Sequence, residues 1–133
     1  MKLTAKSEYA LLALVYLARV EADGYITVKT IAKAQGIPPK FLEQLLLTLK
    51  RAKYLRSRKG QGGGYRLAKA ADSISLAEII RVFDGALAPT ESVSEYFYAP
   101  TPVEKEKSLI RVFKQIRDYT AATLEQATIA DAR

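Results

Sequence analysis

Two places in this 133-residue chain hold side chains whose types and spacing suit specific chemistry. The first is the cluster Lys40, Phe41, Glu43 and Gln44. An amide beside a carboxylate offers donors and acceptors to the hydrogen-bonding edge of another molecule, and the lysine adds charge. The second is Arg58-Lys59-Gly60-Gln61-Gly62-Gly63-Gly64, where cations flank a run of glycines. Glycine permits positive φ and close approach of backbone to a second molecule. Neither place has the groups of a catalytic site. The chain contains no Cys and no His. That removes disulfides, thiolate nucleophiles, Ser–His and Cys–His relays, and almost every zinc or iron–sulfur ligand set. A carboxylate-only site for magnesium or a sugar is the formal remainder. The carboxylates are scattered over helical positions, however, and the one tempting pair, Glu104 and Glu106, sits two apart, a spacing that does not converge on a helix. The chain is expected to be no enzyme and to carry no metal or other cofactor.

The net charge is +7, unevenly spread. Between Lys29 and Lys69 there are eleven Lys or Arg and a single acid, Glu43, a balance of +10. Residues 1–28 are neutral and residues 70–133 carry −3. Charge concentrated in one third of a chain is the electrostatic footprint of a polyanion-binding surface. No apolar run approaches the roughly 18 residues of a membrane span. The start, Met1-Lys2-Leu3-Thr4, lacks the cleavage site of a secretory signal, so a cytoplasmic protein is expected.

The elements that must position these residues are legible from periodicity. Residues 5–21 read as a helix capped by Thr4 or Ser7, closed by Asp23-Gly24, and apolar nearly all round. Residues 28–35 form a short helix capped by Thr27 and ended by Gly36. A new helix opens near Pro39, because proline suits a first turn, and runs to about Ala52. Its Leu42, Leu45, Leu46 and Leu49 define one apolar face, leaving Lys40, Glu43, Gln44, Leu47 and Arg51 wholly or partly outside it. Helix, tight glycine turn and second amphipathic helix make a helix-turn-helix pattern. Residues 54–59 and 65–68 read as the strands of a hairpin with a glycine-rich tip. A phosphate-binding loop would need Gly-Lys-Ser/Thr opening a helix, and a strand follows here. Residues 75–84 form a helix with a Ser75–Glu78 capping box. Residues 86–102 are irregular and contain Tyr96-Phe97-Tyr98. A long helix from about Val103 to Ala127 carries Leu109, Val112 or Phe113, Ile116, Tyr119 or Thr120, and Thr123 or Leu124 at near-heptad spacing, a seam suited to a second copy of the chain, the alternative being that it folds back on its own domain.

Several stretches also carry a family resemblance: Met1-Lys2-Leu3-Thr4 to Ala10, Ile31-Ala32 to Ile37, Phe41-Leu42-Glu43-Gln44-Leu45, Arg58 to Leu67, and Ile74-Ser75-Leu76 to Ile80. Together they resemble the Rrf-two family of winged-helix regulators. That family includes the iron–sulfur-cluster regulator, the nitric-oxide-sensing repressor and the cysteine-metabolism repressor. The resemblance is close over residues 1–85 and loose over the long helix. It implies a mainly α fold with a small β-hairpin: a winged helix-turn-helix DNA-binding domain (1–85), a connecting or sensor loop (86–102), and a dimerisation helix and tail (103–133). Cluster-binding members place three cysteines in the loop before the dimer helix. Residues 92–102 here offer no cysteine or histidine, so the chain looks like a cysteine-free branch without an iron–sulfur cluster.

The resemblance also implies a homodimer on double-stranded DNA, with the second helix of the motif in the major groove and the wing in the flanking minor groove. Gln44 suits adenine or a phosphate, and Glu43 suits a cytosine amino group, its bland alternative being a salt bridge to Lys40 or Lys50. Lys40 suits phosphate, and Phe41 a thymine methyl or packing against Ile37. Arg58 and Lys59, with Gln61 and Gly62 between the strands, suit a narrow minor groove, and Arg51, Arg56 and Arg66 suit backbone contact or solvation. The function expected is sequence-specific transcription regulation, as a repressor on a pseudo-palindromic operator. The alternatives are a protein-interaction module that controls a partner enzyme or transcription complex, and a non-specific nucleic-acid binder. An effector, small molecule or protein, is left open, with Tyr96, Phe97 and Tyr98 as its candidate lining.

Overall fold

The computed structural model describes residues 1–20 and 24–133. Glu21 and Asp23, expected at the end of the first helix, lie outside the described residues. Three helices come first: α1 (Ala5–Val20), α2 (Val28–Gln35) and α3 (Pro39–Arg51). A hairpin of β1 (Leu55–Arg58) and β2 (Gly64–Leu67) follows, then α4 (Leu76–Asp84), the long α5 (Lys107–Gln126) and a short α6 (Ile129–Ala132). Short 3₁₀ turns lie at Ala71–Ser73, Glu91–Val93 and Pro102–Lys105.

The local chemistry acts where the sequence places it. The Thr27 hydroxyl accepts from the Thr30 amide at 3.1 Å, and Gly36 closes α2 in the left-handed region at φ 65°. Pro39 opens α3, and Leu42, Leu45, Leu46 and Leu49 are all buried. The Ser75–Glu78 box is complete: the Ser75 amide donates to the Glu78 carboxylate at 2.8 Å, and the Glu78 amide to the Ser75 hydroxyl at 3.1 Å. One core unites Leu14 and Leu17 of α1 with Ile31, Leu42, Leu46 and Ile79. α1 is less enclosed than its apolar composition suggests, because Leu12 and Val20 stay exposed.

The long helix differs from expectation at its start. It begins at Lys107, not Val103. Pro102 instead opens a 3₁₀ turn, closed by the Glu104 amide on the Thr101 carbonyl and the Glu106 amide on the Val103 carbonyl, both at 3.1 Å. Glu106 is then extended, and its carbonyl accepts from the Leu109 and Ile110 amides at 3.1 Å, which sets the first turn of α5.

The chain beyond α5 returns to the core. The Leu76 amide donates to the Ala127 carbonyl and the Ile129 amide to the Ile74 carbonyl, each at 2.9 Å. Ile129 is 0 % exposed among the residues of α1 and the 3₁₀ turn at Ala71. A second, smaller cluster of Ala77, Ile80 and Leu87 holds Leu124 of α5.

Candidate nucleic-acid interface

α3 is anchored by its leucines, so its other face is left outward. Lys40, Glu43, Gln44, Leu47, Lys50 and Arg51 are all exposed. Pro38 caps α3 without a side-chain hydrogen bond, which leaves the positive end of the helix dipole uncompensated beside Lys40. Glu43 forms no ion pair with Lys40 or Lys50: among the described residues the salt bridges are Arg81–Glu125 and Arg117–Asp118. Phe41 is half-buried and meets the Tyr9 ring of α1 edge to face, with centroids 5.6 Å apart. This ring contact joins Phe41 to α1.

The wing is fixed at its base and open at its tip. The register pairs Leu55 with Leu67, Arg56 with Arg66, Ser57 with Tyr65 and Arg58 with Gly64. Ile26, just before α2, bonds Tyr65 in both directions at 2.8 and 2.7 Å, adding a third short rung. Arg58, Lys59, Gly60, Gln61 and Gly62 are exposed, with Gly60 and Gly62 at φ 85° and 75°. The last two glycines differ from the sequence reading. A Cβ at Gly63 would stand 2.2 Å from the Arg58 carbonyl oxygen, and one at Gly64 would stand 2.2 Å from that of Ile26. They accommodate the chain's own backbone, and only the tip glycines face open space.

Not all of the positive charge is equally free. The Lys69 ammonium lies 4.6 Å from the Tyr54 ring centroid and the Arg66 guanidinium 5.8 Å from that of Tyr25. Buried Tyr54 donates to the Glu78 carboxylate at 3.1 Å. Burial, then the charge and hydrogen bond of Glu78, push the Tyr54 phenol up to about 12. Burial alone would raise Glu78, but hydrogen bonds from Ser75 and Tyr54 and the Lys69 charge hold it below its ordinary value. From sequence, Lys29 and Lys33 are legible only as charge. Both are exposed on α2 and line a groove of about 570 Å³ with Tyr16 and Thr30. Their i, i+4 spacing was the available signal.

Tyr96, Phe97 and Tyr98 are exposed, and Tyr96 and Phe97 also line a recess of only about 10 Å³ with Arg81 and Arg117. Tyr96 stacks under the Arg81 guanidinium at 4.9 Å, Phe97 lies beside Gly85, and the Tyr98 hydroxyl donates to the Glu104 carboxylate. On α5, Leu109, Val112, Ile116 and Tyr119 are exposed, Tyr119 by 76 %, whereas Phe113 is half-buried.

A helix-turn-helix followed by a two-stranded wing defines the winged-helix class of DNA-binding regulators. The family model described as "Iron-dependent Transcriptional regulator", Rrf2, matches residues 3–132. A proposed HTH-type transcriptional regulator of Mycobacterium tuberculosis, Rv1287, is 36 % identical over 132 residues, 98 % of this chain and 80 % of the relative. CymR of Bacillus subtilis is 30 % identical over 131 residues, 98 % of this chain and 88 % of the relative. The structure of CymR, titled the global cysteine regulator of B. subtilis, aligns with a TM-score of 0.79 at 30 % identity, covering 99 % of this chain and 95 % of that one. IscR of T. potens aligns with a TM-score of 0.75 at 29 % identity, covering 99 % and 85 %. The chain belongs to the Rrf2 family of transcriptional regulators. It is a regulator with a winged-helix DNA-binding fold, and its family and relatives are not enzymes.

The iron in the family description does not fit these residues. Iron–sulfur clusters are held by thiolates, with histidine an occasional substitute, and the chain has neither. Among the described residues no group of three or more His, Cys, Asp or Glu could hold a metal ion. No helix there is long and apolar enough to cross a membrane.

Proposed function

We propose that the chain is a cytoplasmic, sequence-specific repressor that binds a pseudo-palindromic DNA operator as a homodimer. The observation that carries this reading is the joint exposure of the wing tip and the Lys40–Gln44 face within a segment of charge +10. Lys40 and Arg51 meet phosphate. Glu43 and Gln44 read base edges, and the unpaired state of Glu43 supports discrimination over simple affinity. Arg58, Lys59, Gln61 and Gly62 enter the minor groove. Phe41, committed to Tyr9, positions the reading helix more than it touches DNA.

The wing supplies independent support. Arg56 and Arg66 are direct cross-strand partners, and like charges so placed are destabilising. A polyanion on that surface offsets the repulsion. The apolar stripe Leu109, Val112, Ile116 and Tyr119 supplies the two-fold contact, with Phe113 at its edge. Tyr96, Phe97 and Tyr98 are available to a small-molecule or protein effector.

The test is selection of bound duplexes from a genomic library, followed by binding measurements across salt concentrations. The expected result is a shared inverted repeat bound in a salt-dependent manner by two protomers. Equal affinity for unrelated duplexes would point to a non-specific binder. No binding of any duplex at low salt would favour the protein-interaction module.

A further inference from the structure

The outer face of the wing carries three side chains in a row that draws on two distant parts of the chain. Along a strand, neighbouring side chains point to opposite faces of the sheet. Leu55 of β1 is buried, and Tyr65 and Leu67 of β2 pack against the core together with Ile26. Arg56 and Arg66 therefore stand on the opposite face, and the register sets them directly across from each other. On the far side of β2, Ile26 pairs with Tyr65 in the antiparallel sense, which puts its neighbour Tyr25 beside Arg66. The order across this face is Tyr25, Arg66, Arg56.

Arg66 thus has a ring on one side and a like charge on the other. It stacks on the ring: its guanidinium lies 5.8 Å from the Tyr25 centroid. Tyr25 and Arg66 are each half-buried, while Arg56 is exposed. Neither arginine has an acidic partner among the described residues, where the ion pairs are Arg81–Glu125 and Arg117–Asp118. Two facing guanidinium groups with no carboxylate between them repel. Stacking on Tyr25 acts on that repulsion in two ways. It draws Arg66 away from Arg56, and it fixes the plane of the guanidinium fork, so that less freedom is lost when an anion binds. The ring is itself held firmly. Ile26 exchanges two backbone bonds with Tyr65, at 2.8 and 2.7 Å, so Tyr25 rides on a segment fastened to the wing. The stack of Lys69 on Tyr54 is different in kind, because Tyr54 is buried and its hydroxyl is already bonded to Glu78.

We propose that Tyr25 is a positioning residue of the DNA-binding surface: stacked on Arg66, it holds that guanidinium apart from Arg56 so that the two clasp one backbone phosphate between them. The phosphate in this assignment rests on the regulator reading above, but the stack does not. A phosphate contact carries no base information, so Tyr25 contributes to affinity alike on every duplex.

The test measures binding of the full chain to the selected operator and to an unrelated duplex across salt concentrations. Tyr25→Leu keeps bulk and removes the π face. It should weaken both complexes about tenfold and make the slope of log affinity against log salt shallower by about one, as Arg66→Gln does. Tyr25→Phe, which keeps the face, should bind like the parent. Tyr25→Leu added to Arg66→Gln should cost nothing further, because the ring acts only through the arginine. Two readings are taken with no DNA present: urea unfolding of each variant, and the NMR shift of the Arg66 δ-methylene protons, which the ring displaces and Tyr25→Leu should return to an ordinary value. A merely structural tyrosine would give additive losses in the double variant and an unchanged salt slope, and either result overturns the positioning role. So does Arg66→Gln that binds like the parent, or an Arg66 shift that Tyr25→Leu leaves in place. A parent chain that binds no duplex defeats the regulator reading, and the phosphate with it, while the Arg66 shift still reports the stack.

Discussion

At the scale of single residues, the wing tip and the aromatic base of the hairpin do different work. Arg58 and Lys59 have no partner inside the protein among the described ion pairs and project from a tip shaped by positive-φ glycines. Replacing either with Ala should cost ~1–3 kcal/mol of operator binding if the side chain enters a groove. Fluorescence anisotropy on the selected operator measures it, and unchanged affinity at moderate salt rejects the contact. Tyr54 gives a pH signature. Its phenol titrates at about 12 in the folded chain, against 10.0 ordinarily. A raised folded value means stability that is complete below pH 10 and lost as pH rises from there towards 12. Glu78 has the opposite sign: its lowered value contributes stability above its ordinary 4.5 that disappears as pH falls through that range. Tyr54→Phe should flatten the alkaline arm of a urea-unfolding profile relative to the parent, and an identical alkaline arm in both proteins contradicts the assignment.

At the scale of elements, the decisive contacts are those that sequence separation hides. Helix caps and apolar stripes are local, so α2, α3 and α4 are legible almost to the residue from Thr27, Gly36, Pro39 and the Ser75–Glu78 box. The strand assignments are close for the same reason, because bulky and basic residues alternate around a glycine run. The start of α5 is not legible. The switch from a 3₁₀ turn to an α-helix depends on the extended backbone of Glu106, which no side-chain pattern announces. The role of the tail is equally hidden, since Ile129 gains meaning only when Ile74 and α1 are beside it. Ile129→Ala should destabilise the fold by about 2–5 kcal/mol, the usual cost of emptying a fully buried aliphatic site. Urea denaturation measures this, and a loss below ~1 kcal/mol would show that the tail is dispensable. Gly64→Ala should also destabilise the hairpin, because the added Cβ would meet the Ile26 carbonyl oxygen at 2.2 Å. Thermal unfolding of this variant beside Gly62→Ala separates the crowded position from one with nothing within 4 Å.

At the scale of the whole molecule, charge and apolar surface are segregated. The +10 segment carries the wing and α3, while α5 presents a row of exposed apolar side chains. Such a row on a monomer marks an interface. Ile116→Glu should convert the proposed homodimer to monomer in sedimentation measurements and weaken operator binding, because each protomer would then hold one half-site alone. A variant that stays dimeric places the two-fold contact elsewhere.

The amino-acid sequence alone determined the class of protein. Composition excluded thiol and histidine chemistry, charge distribution concentrated the positive charge between Lys29 and Lys69, and local periodicities with their caps laid down helix, turn, helix and wing in order. These are properties of neighbours along the chain. Tertiary structure alone decided which of the cations are stacked on the protein's own rings, that Phe41 belongs to Tyr9, that Gly63 and Gly64 yield to their own backbone, and that the C-terminal turn closes the core. Each of these joins groups brought together by packing, and energies of contact between distant residues leave no periodic trace in sequence.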